Sequence, residues 1–152
     1  MATVSVLGLD IGSKRIGVAG CDRTGLIASG ITTIENKSFA YVTEQLSQIV
    51  RQREATRLVV GLPYTLDGSV GAQARRVKKY TRRLAGVLKL PVTYVDERLT
   101  SVEAEQQLQS ERRFVPRNNK QKGLIDQRAA AIILQQWLDS PLAIERKNEC
   151  PT

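Results

Sequence analysis

The chain has 152 residues, of which 41% are hydrophobic and 25% are charged, and these values are typical of one globular domain. No apolar run approaches the roughly 18–20 residues needed to span a bilayer, and no signal-peptide pattern opens the chain, so we expect a cytoplasmic protein without membrane contact. A net charge of +8 favours an anionic partner such as nucleic acid, and the absence of histidine excludes Ser–His catalysis and histidine-ligated zinc.

The hydrophobic pattern predicts an α/β fold in which strands come first and helices later. Apolar runs bounded by turn residues predict five strands, at residues 4–10, 15–21, 26–34, 57–63 and 91–95. Apolar residues at helical spacing predict helices at residues 38–53, 70–88 and 124–139, and the capping box of Thr100 and Glu103 predicts a further helix at residues 100–109. Three antiparallel strands followed by strand–helix units predict a mixed five-stranded sheet with helices on its faces.

The same pattern predicts the limits of the folded domain. We expect one domain over residues 1–139, followed by a poorly ordered tail at residues 140–152. Residues 110–123 are polar, basic and interrupted by Pro116 and Gly123, which predicts a mobile loop before the last helix. The two cysteines, Cys21 and Cys150, are expected to be free thiols.

The predicted helix at residues 70–88 has an outer face of a single charge sign. No acidic residue occurs between Gly68 and Val95. The basic residues opposite its apolar stripe are Arg75, Arg76, Lys78, Lys79, Arg82 and Arg83. A solvated face normally mixes both signs, so this face indicates a surface for a polyanion, with Arg75, Lys79 and Arg82 as contacts. The alternative is a solvated basic face that has no partner.

Two carboxylates are predicted at the ends of strands. Asp10 ends the first apolar run, where it would serve either a functional site or a turn capped at Gly12. Asp96 and Glu97 follow the last strand, and because side chains alternate along a strand only one of them can face the same site. The carboxyl ends of parallel strands meet at one edge of the sheet, so one of these residues is expected near Asp10.

A third carboxylate lies in the first turn of the predicted last helix. Asp126 shares a helical face with Ala129, Ala130, Ile133 and Trp137, which is the packing face. Stabilisation of the helix dipole would explain an acidic residue in the first turn, but it would not explain an acidic residue on the buried face of the helix. Three converging carboxylates are tolerable around a divalent cation, and oxygen ligands suit Mg²⁺ or Mn²⁺, which catalyse phosphodiester hydrolysis without histidine.

Four sequence blocks together resemble the YqgF/RuvX proteins, bacterial relatives of the RuvC Holliday-junction resolvases. The blocks are GLDIGSKRIGVA, VGLPYTLDGSVG, VDERLTSVEAE and KGLIDQRAAAIILQQWLD, which occur in this order, and the resemblance covers about residues 4 to 139. The resemblance implies an RNase H-like fold, a metal-dependent endonuclease and a role in maturing the 5′ end of pre-16S ribosomal RNA. It also implies that Asp10, Glu97 and Asp126 are the catalytic metal ligands, and so it selects Glu97 over Asp96.

The expected partners are a precursor ribosomal RNA within a ribosome precursor or a DNA junction, bound by a monomer or a homodimer. Lys14, Arg15 and Arg98 are close enough in sequence to the carboxylates to contact a scissile phosphate, or else form surface ion pairs. The basic residues of the predicted loop are Arg112, Arg113, Arg117, Lys120 and Lys122, and they could close over nucleic acid. The alternatives to an RNA nuclease are a Holliday junction resolvase and a non-catalytic nucleic-acid-binding transcription factor.

Overall fold

The computed structural model describes residues 4–62, 71–96 and 119–140. Five strands form one sheet: β1 (Val6–Ile11), β2 (Arg15–Cys21), β3 (Ala28–Glu35), β4 (Arg57–Leu62) and β5 (Val92–Asp96). Their spatial order is β3-β2-β1-β4-β5. β1, β2 and β3 pair antiparallel, whereas β4 pairs parallel with both β1 and β5. The predicted mixed sheet is confirmed.

Three helices lie in the described residues: α1 (Phe39–Arg53), α2 (Ala72–Leu88) and α3 (Asn119–Leu138). Ser38 caps α1, because its hydroxyl oxygen accepts a hydrogen bond of 3.1 Å from the Tyr41 amide. The predicted helix at residues 100–109 and the tail after residue 140 lie outside the described residues. None of the described helices is long and apolar enough to cross a membrane.

The predicted boundary of the last helix is wrong. Residues 119–123, assigned to a mobile loop, are the first residues of α3. Gly123 does not break the helix, because it is buried against β3, where its carbonyl accepts a hydrogen bond of 2.6 Å from the Thr33 hydroxyl. Asp126 therefore lies two turns inside a helix rather than in its first turn.

The two faces of the sheet carry different helices. One core joins Leu7, Leu9 and Val18 of the sheet to buried residues of α1 and α2, such as Leu46 and Leu84. The other core joins strand residues such as Val6, Ala19 and Val59 to Ile133 and Leu134 of α3. Alternate positions of each strand thus face α1 and α2 on one side and α3 on the other. Cys21 belongs to the second core and is a free thiol.

Helix α3 approaches the sheet closely at Gly8 of β1. A Cβ atom at this position would lie 2.7 Å from the Leu134 Cβ atom and 2.8 Å from the Ala130 carbonyl oxygen. Both neighbours belong to the buried face of α3, so neither can move without moving the helix. Contact between β1 and α3 therefore requires glycine at this position.

We expect Gly8→Ala to destabilise the chain by about 1–3 kcal/mol, because the added methyl group overpacks the contact between β1 and α3. Urea denaturation followed by circular dichroism measures this free energy of unfolding. Gly86→Ala is the matched control, since Gly86 is exposed on α2 and a Cβ atom there would have no neighbour within 4 Å. The control should gain up to about 1 kcal/mol, and equal losses in both variants would contradict the close approach of α3.

Candidate active site

The turn between β1 and β2 fixes the backbone around Asp10 and Arg15. The Gly12 amide donates to the Arg15 carbonyl oxygen at 2.9 Å, which closes the turn. Asn36, just after β3, donates from its side chain to the Gly12 carbonyl at 3.0 Å and from its amide to the Lys14 carbonyl at 2.9 Å. The Gly12 amide is thus satisfied within the backbone of the turn.

Asp10 and the backbone of Asp126 lie at one corner of the sheet, on the face covered by α3. Asp10 lies directly opposite Gly17 in the pairing of β1 with β2, so both positions face the same side. A Cβ atom at Gly17 would overlap the carbonyl oxygen of Asp126, which shows that the helix backbone lies immediately over this glycine. The absence of a side chain at Gly17 brings Asp126 of α3 close to Asp10 of β1.

Arg15 forms an ion pair with Asp126 across this corner. The Nε atom of Arg15 donates to Oδ2 of Asp126 at 2.7 Å, and the two side chains are only 24% and 21% exposed. Burial raises the pKa of the Asp126 carboxyl, and the hydrogen bond and charge of Arg15 offset only part of this effect. The position of Asp126 inside α3 also removes the helix dipole as its explanation, because that effect is confined to the first turn.

The register of β5 separates the two candidate carboxylates at its end. Val92 and Tyr94 pack against the core of α1 and α2, whereas Val95 packs against the core of α3. Asp96 continues the alternation of Val92 and Tyr94, and it is paired with Leu62, which belongs to the core of α1 and α2. Asp96 therefore lies on the opposite face from Asp10. Glu97 lies outside the described residues.

The predicted basic contacts divide between the two faces. Lys14 is exposed in the β1–β2 turn, and Lys122 is exposed on α3, one turn before Asp126. Lys120 lies on the first turn of the same helix. Arg75, Lys79 and Arg82 are exposed on α2, on the other side of the sheet. Arg98, Arg112, Arg113 and Arg117 lie outside the described residues.

The donor atoms at this corner suit a hard cation. Asp10 and Asp126 offer carboxylate oxygens without sulfur or imidazole nitrogen, which is the ligand type that Mg²⁺ and Mn²⁺ prefer. The described residues contain no group of three acidic, cysteine or histidine side chains, so a third protein ligand would have to come from elsewhere in the chain. Partial burial strengthens the attraction of these carboxylates for a cation, since the local dielectric is lower than in water.

Sequence reasoning missed two features of the corner. Gly17 was treated only as part of a strand, and Asn36 was not singled out. The small residues at alternate positions of the two strands, Gly8 of β1 and Gly17 and Ala19 of β2, were the available signal, because such positions let a helix backbone approach a sheet.

We expect Asp126→Asn to gain stability relative to the parent chain as the pH rises from about 3 to about 7. In the unfolded chain the Asp126 carboxyl has its ordinary pKa of 3.8, whereas burial raises this pKa in the folded chain. The stability of the parent chain is therefore unaffected at pH values below the ordinary pKa, and it falls as the pH rises through the raised pKa of the folded chain. Asparagine does not ionise and keeps an oxygen that can accept the Arg15 bond. Thermal unfolding in EDTA at a series of pH values measures the difference.

Asp22→Asn is a control in which the opposite dependence is expected. The Ile27 amide, the Thr24 hydroxyl and the Leu26 amide donate to Asp22 and lower the pKa of its carboxyl to about 2. Its contribution to stability is present above pH 3.8 and is lost as the pH falls toward 2, so this variant should be less stable than the parent chain at neutral pH. A pH-independent difference for Asp126→Asn would contradict the electrostatic cost at the corner.

Comparison with known proteins connects this geometry to a family. A family model described as "RuvX: Holliday junction resolvase" matches residues 4–140. A Rippkaea orientalis protein named "Putative pre-16S rRNA nuclease" is 66% identical over 140 residues, which are 92% of this chain and 99% of that protein. A Trichormus variabilis protein of the same name is 62% identical over 136 residues, which are 90% of this chain and 88% of that protein.

A solved structure, that of Thermus thermophilus RuvC in complex with a Holliday junction substrate, shares the fold. It superimposes with a TM-score of 0.52 at 12% identity, over 86% of this chain and 91% of that chain. At this identity the likeness concerns the fold alone, which is RNase H-like and agrees with the observed order of strands and helices. Because the family model covers nearly all of its residues, the chain belongs to the RuvX family.

Proposed function

We propose that the chain is a divalent-metal-dependent endonuclease that hydrolyses phosphodiester bonds of precursor 16S rRNA in the cytoplasm. The observation that carries the proposal is the position of the Asp126 backbone over Gly17, the residue paired with Asp10 at the carboxyl end of β1. Two partly enclosed carboxylates at a sheet edge can hold a hard cation, and the family membership supports nuclease chemistry for this arrangement. The names of the relatives support a precursor rRNA as the substrate.

We propose Glu97 as the third ligand of the metal. The register of β5 supports this choice, because Asp96 faces α1 and α2 and is therefore on the wrong side of the sheet. Glu97 is the next residue, and it is the carboxylate that the family resemblance selects in the block VDERLTSVEAE. We infer that Asp10, Glu97 and Asp126 hold Mg²⁺ or Mn²⁺.

The residues of the corner have distinct roles in this mechanism. When bound, divalent ions activate water for attack on phosphorus and neutralise the charge of the leaving oxygen. The carboxylates of Asp10 and Asp126 would hold the cation. The hydrogen bonds of the β1–β2 turn keep Asp10 in place. The exposed ammonium groups of Lys14 and Lys122 attract the phosphate backbone toward the corner.

We expect the full-length chain to cut precursor 16S rRNA with Mg²⁺ or Mn²⁺ and to be inactive in EDTA. Asp10→Asn, Glu97→Gln and Asp126→Asn should each lower the cleavage rate by about a hundredfold or more, since each removes a charge from the metal site. Gel analysis of a 5′-labelled precursor under single-turnover conditions measures the rate. Asp139→Asn is the matched control, because Asp139 is an exposed carboxylate close to the other end of α3 that accepts a hydrogen bond from Gln135.

A four-way DNA junction is the second substrate in this experiment. Cutting of the junction but not of the RNA would replace the proposed substrate with a resolvase function. Metal-independent binding without cleavage of either substrate would instead favour a non-catalytic nucleic-acid-binding factor. Equal activity of Asp10→Asn and the parent chain would refute the catalytic role of the corner.

The outer face of α2 is the proposed surface for the RNA backbone. Lys78 and Arg83 lie over the rings of Tyr94 and Phe39, at 5.6 and 4.0 Å, and so pack against the protein. Arg75, Lys79 and Arg82 are exposed on the same helix, which has no acidic residue. The first turn of α2 lies toward the carboxyl edge of the sheet, because α2 connects β4 with the parallel strand β5.

We expect neutralisation of this surface with Arg75→Gln, Lys79→Gln and Arg82→Gln to weaken RNA binding and flatten its salt dependence. Each phosphate contact contributes about 0.7–0.9 to the slope of log affinity against log salt concentration. The magnitude of this slope should therefore be smaller by about 2–3 in the triple variant. Filter binding at a series of salt concentrations measures this slope. Arg23→Gln, on the exposed turn between β2 and β3, is a control whose slope should stay unchanged. An unchanged slope in the triple variant would identify the α2 face as a solvated surface.

A further inference from the structure

Arg15 pairs with Asp126 although another carboxylate is its direct neighbour. Arg15 lies opposite Glu35 in the pairing of β2 with β3, so both side chains start from the same side of the sheet. Glu35 instead lies 3.6 Å from Lys37, and both of those side chains are largely exposed. The 2.7 Å contact of Arg15 with Asp126 is shorter and much less exposed. The guanidinium is therefore directed into the carboxylate corner.

The backbone at both ends of this ion pair is fixed. The Arg15 carbonyl closes the β1–β2 turn through the Gly12 amide, and Asn36 ties that turn to the end of β3. Asp126 is held by the contact of its own backbone with Gly17, two residues after Arg15 on the same face of β2. The pair can separate only by rotation of the two side chains, which needs no movement of the fold.

A cation at the corner would compete with Arg15 for the same carboxylate. The Oδ2 atom of Asp126 accepts the hydrogen bond from Nε of Arg15, and carboxylate oxygens are also the atoms that would coordinate a cation. A divalent cation coordinated by Asp126 would stand beside the guanidinium, and two positive groups at this distance repel each other in a partly buried site. Arg15 compensates the Asp126 carboxylate in the absence of a cation, and a cation makes that compensation unnecessary.

We propose that Arg15 is the exchangeable counter-ion of Asp126, which a divalent cation displaces when it binds. The inference rests on the proposed metal site and adds the residue that regulates its occupation. Displacement would break the hydrogen bond between the Arg15 guanidinium and Asp126. Arg15 is thus a positioning residue for Asp126 before metal binding.

The test measures binding of Mn²⁺ alone to the full-length chain, by electron paramagnetic resonance of the free ion and by thermal unfolding with and without Mn²⁺. We expect Arg15→Gln to bind Mn²⁺ about tenfold more tightly than the parent chain, because a competing charge-assisted hydrogen bond is removed. In EDTA, the same variant should unfold at a lower temperature than the parent chain. Addition of Mn²⁺ should raise the unfolding temperature of the variant more than that of the parent chain, so that the difference becomes smaller. Arg15→Lys, which keeps the charge, should stay near the affinity of the parent chain.

Two matched variants isolate the contact. Lys14→Gln removes the same charge from the exposed neighbouring side chain and should change Mn²⁺ affinity much less than Arg15→Gln. In an Asp126→Asn background, Arg15→Gln should no longer tighten Mn²⁺ binding, since the carboxylate for which the two cations compete is absent.

The outcomes separate this inference from the metal site itself. If Mn²⁺ binds the parent chain and Arg15→Gln binds it equally or more weakly, Arg15 is not displaced and the exchange is refuted while the metal site stands. If Arg15→Gln loses equal stability with and without Mn²⁺, the ion pair is only structural. If neither chain binds Mn²⁺, both the exchange and the proposed nuclease site are refuted.

Discussion

The close approach of α3 to the sheet is the constraint on which the site depends. Gly8 and Gly17 lie under this helix, and a Cβ atom at either would overlap or crowd its backbone. Since Asp10 lies opposite Gly17, the same contact that closes the core places Asp126 next to Asp10. The core of α3, with Ile133 and Leu134 against Val6 and Val59, keeps the helix at this distance. Packing thus fixes the separation of two residues that are far apart in the sequence.

The corner is stabilised less well than an apolar corner would be, and this favours a functional origin. Asp126 lies on the face of α3 that otherwise buries Ala129, Ala130 and Ile133, and burial raises the pKa of its carboxyl despite the Arg15 bond. A buried ion pair is often no more stable than the apolar residues that could replace it. Titratable groups whose pKa is shifted by their surroundings concentrate at functional sites, where their charge serves chemistry rather than folding.

Much of the fold followed from the sequence because the pattern of apolar residues is local. The identity of the strands and the inward position of Asp126 follow from periodicities of two and 3.6 residues, which single segments contain. The predicted start of α3 was wrong because Gly123 was taken to end the loop and interrupt the helix. Its carbonyl is instead bound by the hydroxyl of Thr33, a residue 90 positions away in the sequence. The Arg15–Asp126 bond spans 111 residues. The family resemblance selected Glu97 over Asp96, but the physical reason, that Asp96 faces α1 and α2, came only from the register of β5. These features depend on tertiary contacts, which no local pattern specifies.

The separation of the two charged surfaces constrains the substrate. The carboxylate corner lies on the α3 face, whereas Arg75, Lys79 and Arg82 lie beyond the opposite face, on α2. A sheet and a helix layer separate them, so one phosphate group cannot touch both surfaces. A nucleic acid that uses both has to bend around the carboxyl edge of the sheet, where β1 and β4 end. Duplex DNA resists such a bend, since its persistence length is about 50 nm. Single-stranded segments bend at much lower cost, so a nucleic acid that contacts both surfaces is expected to be single-stranded where it crosses this edge.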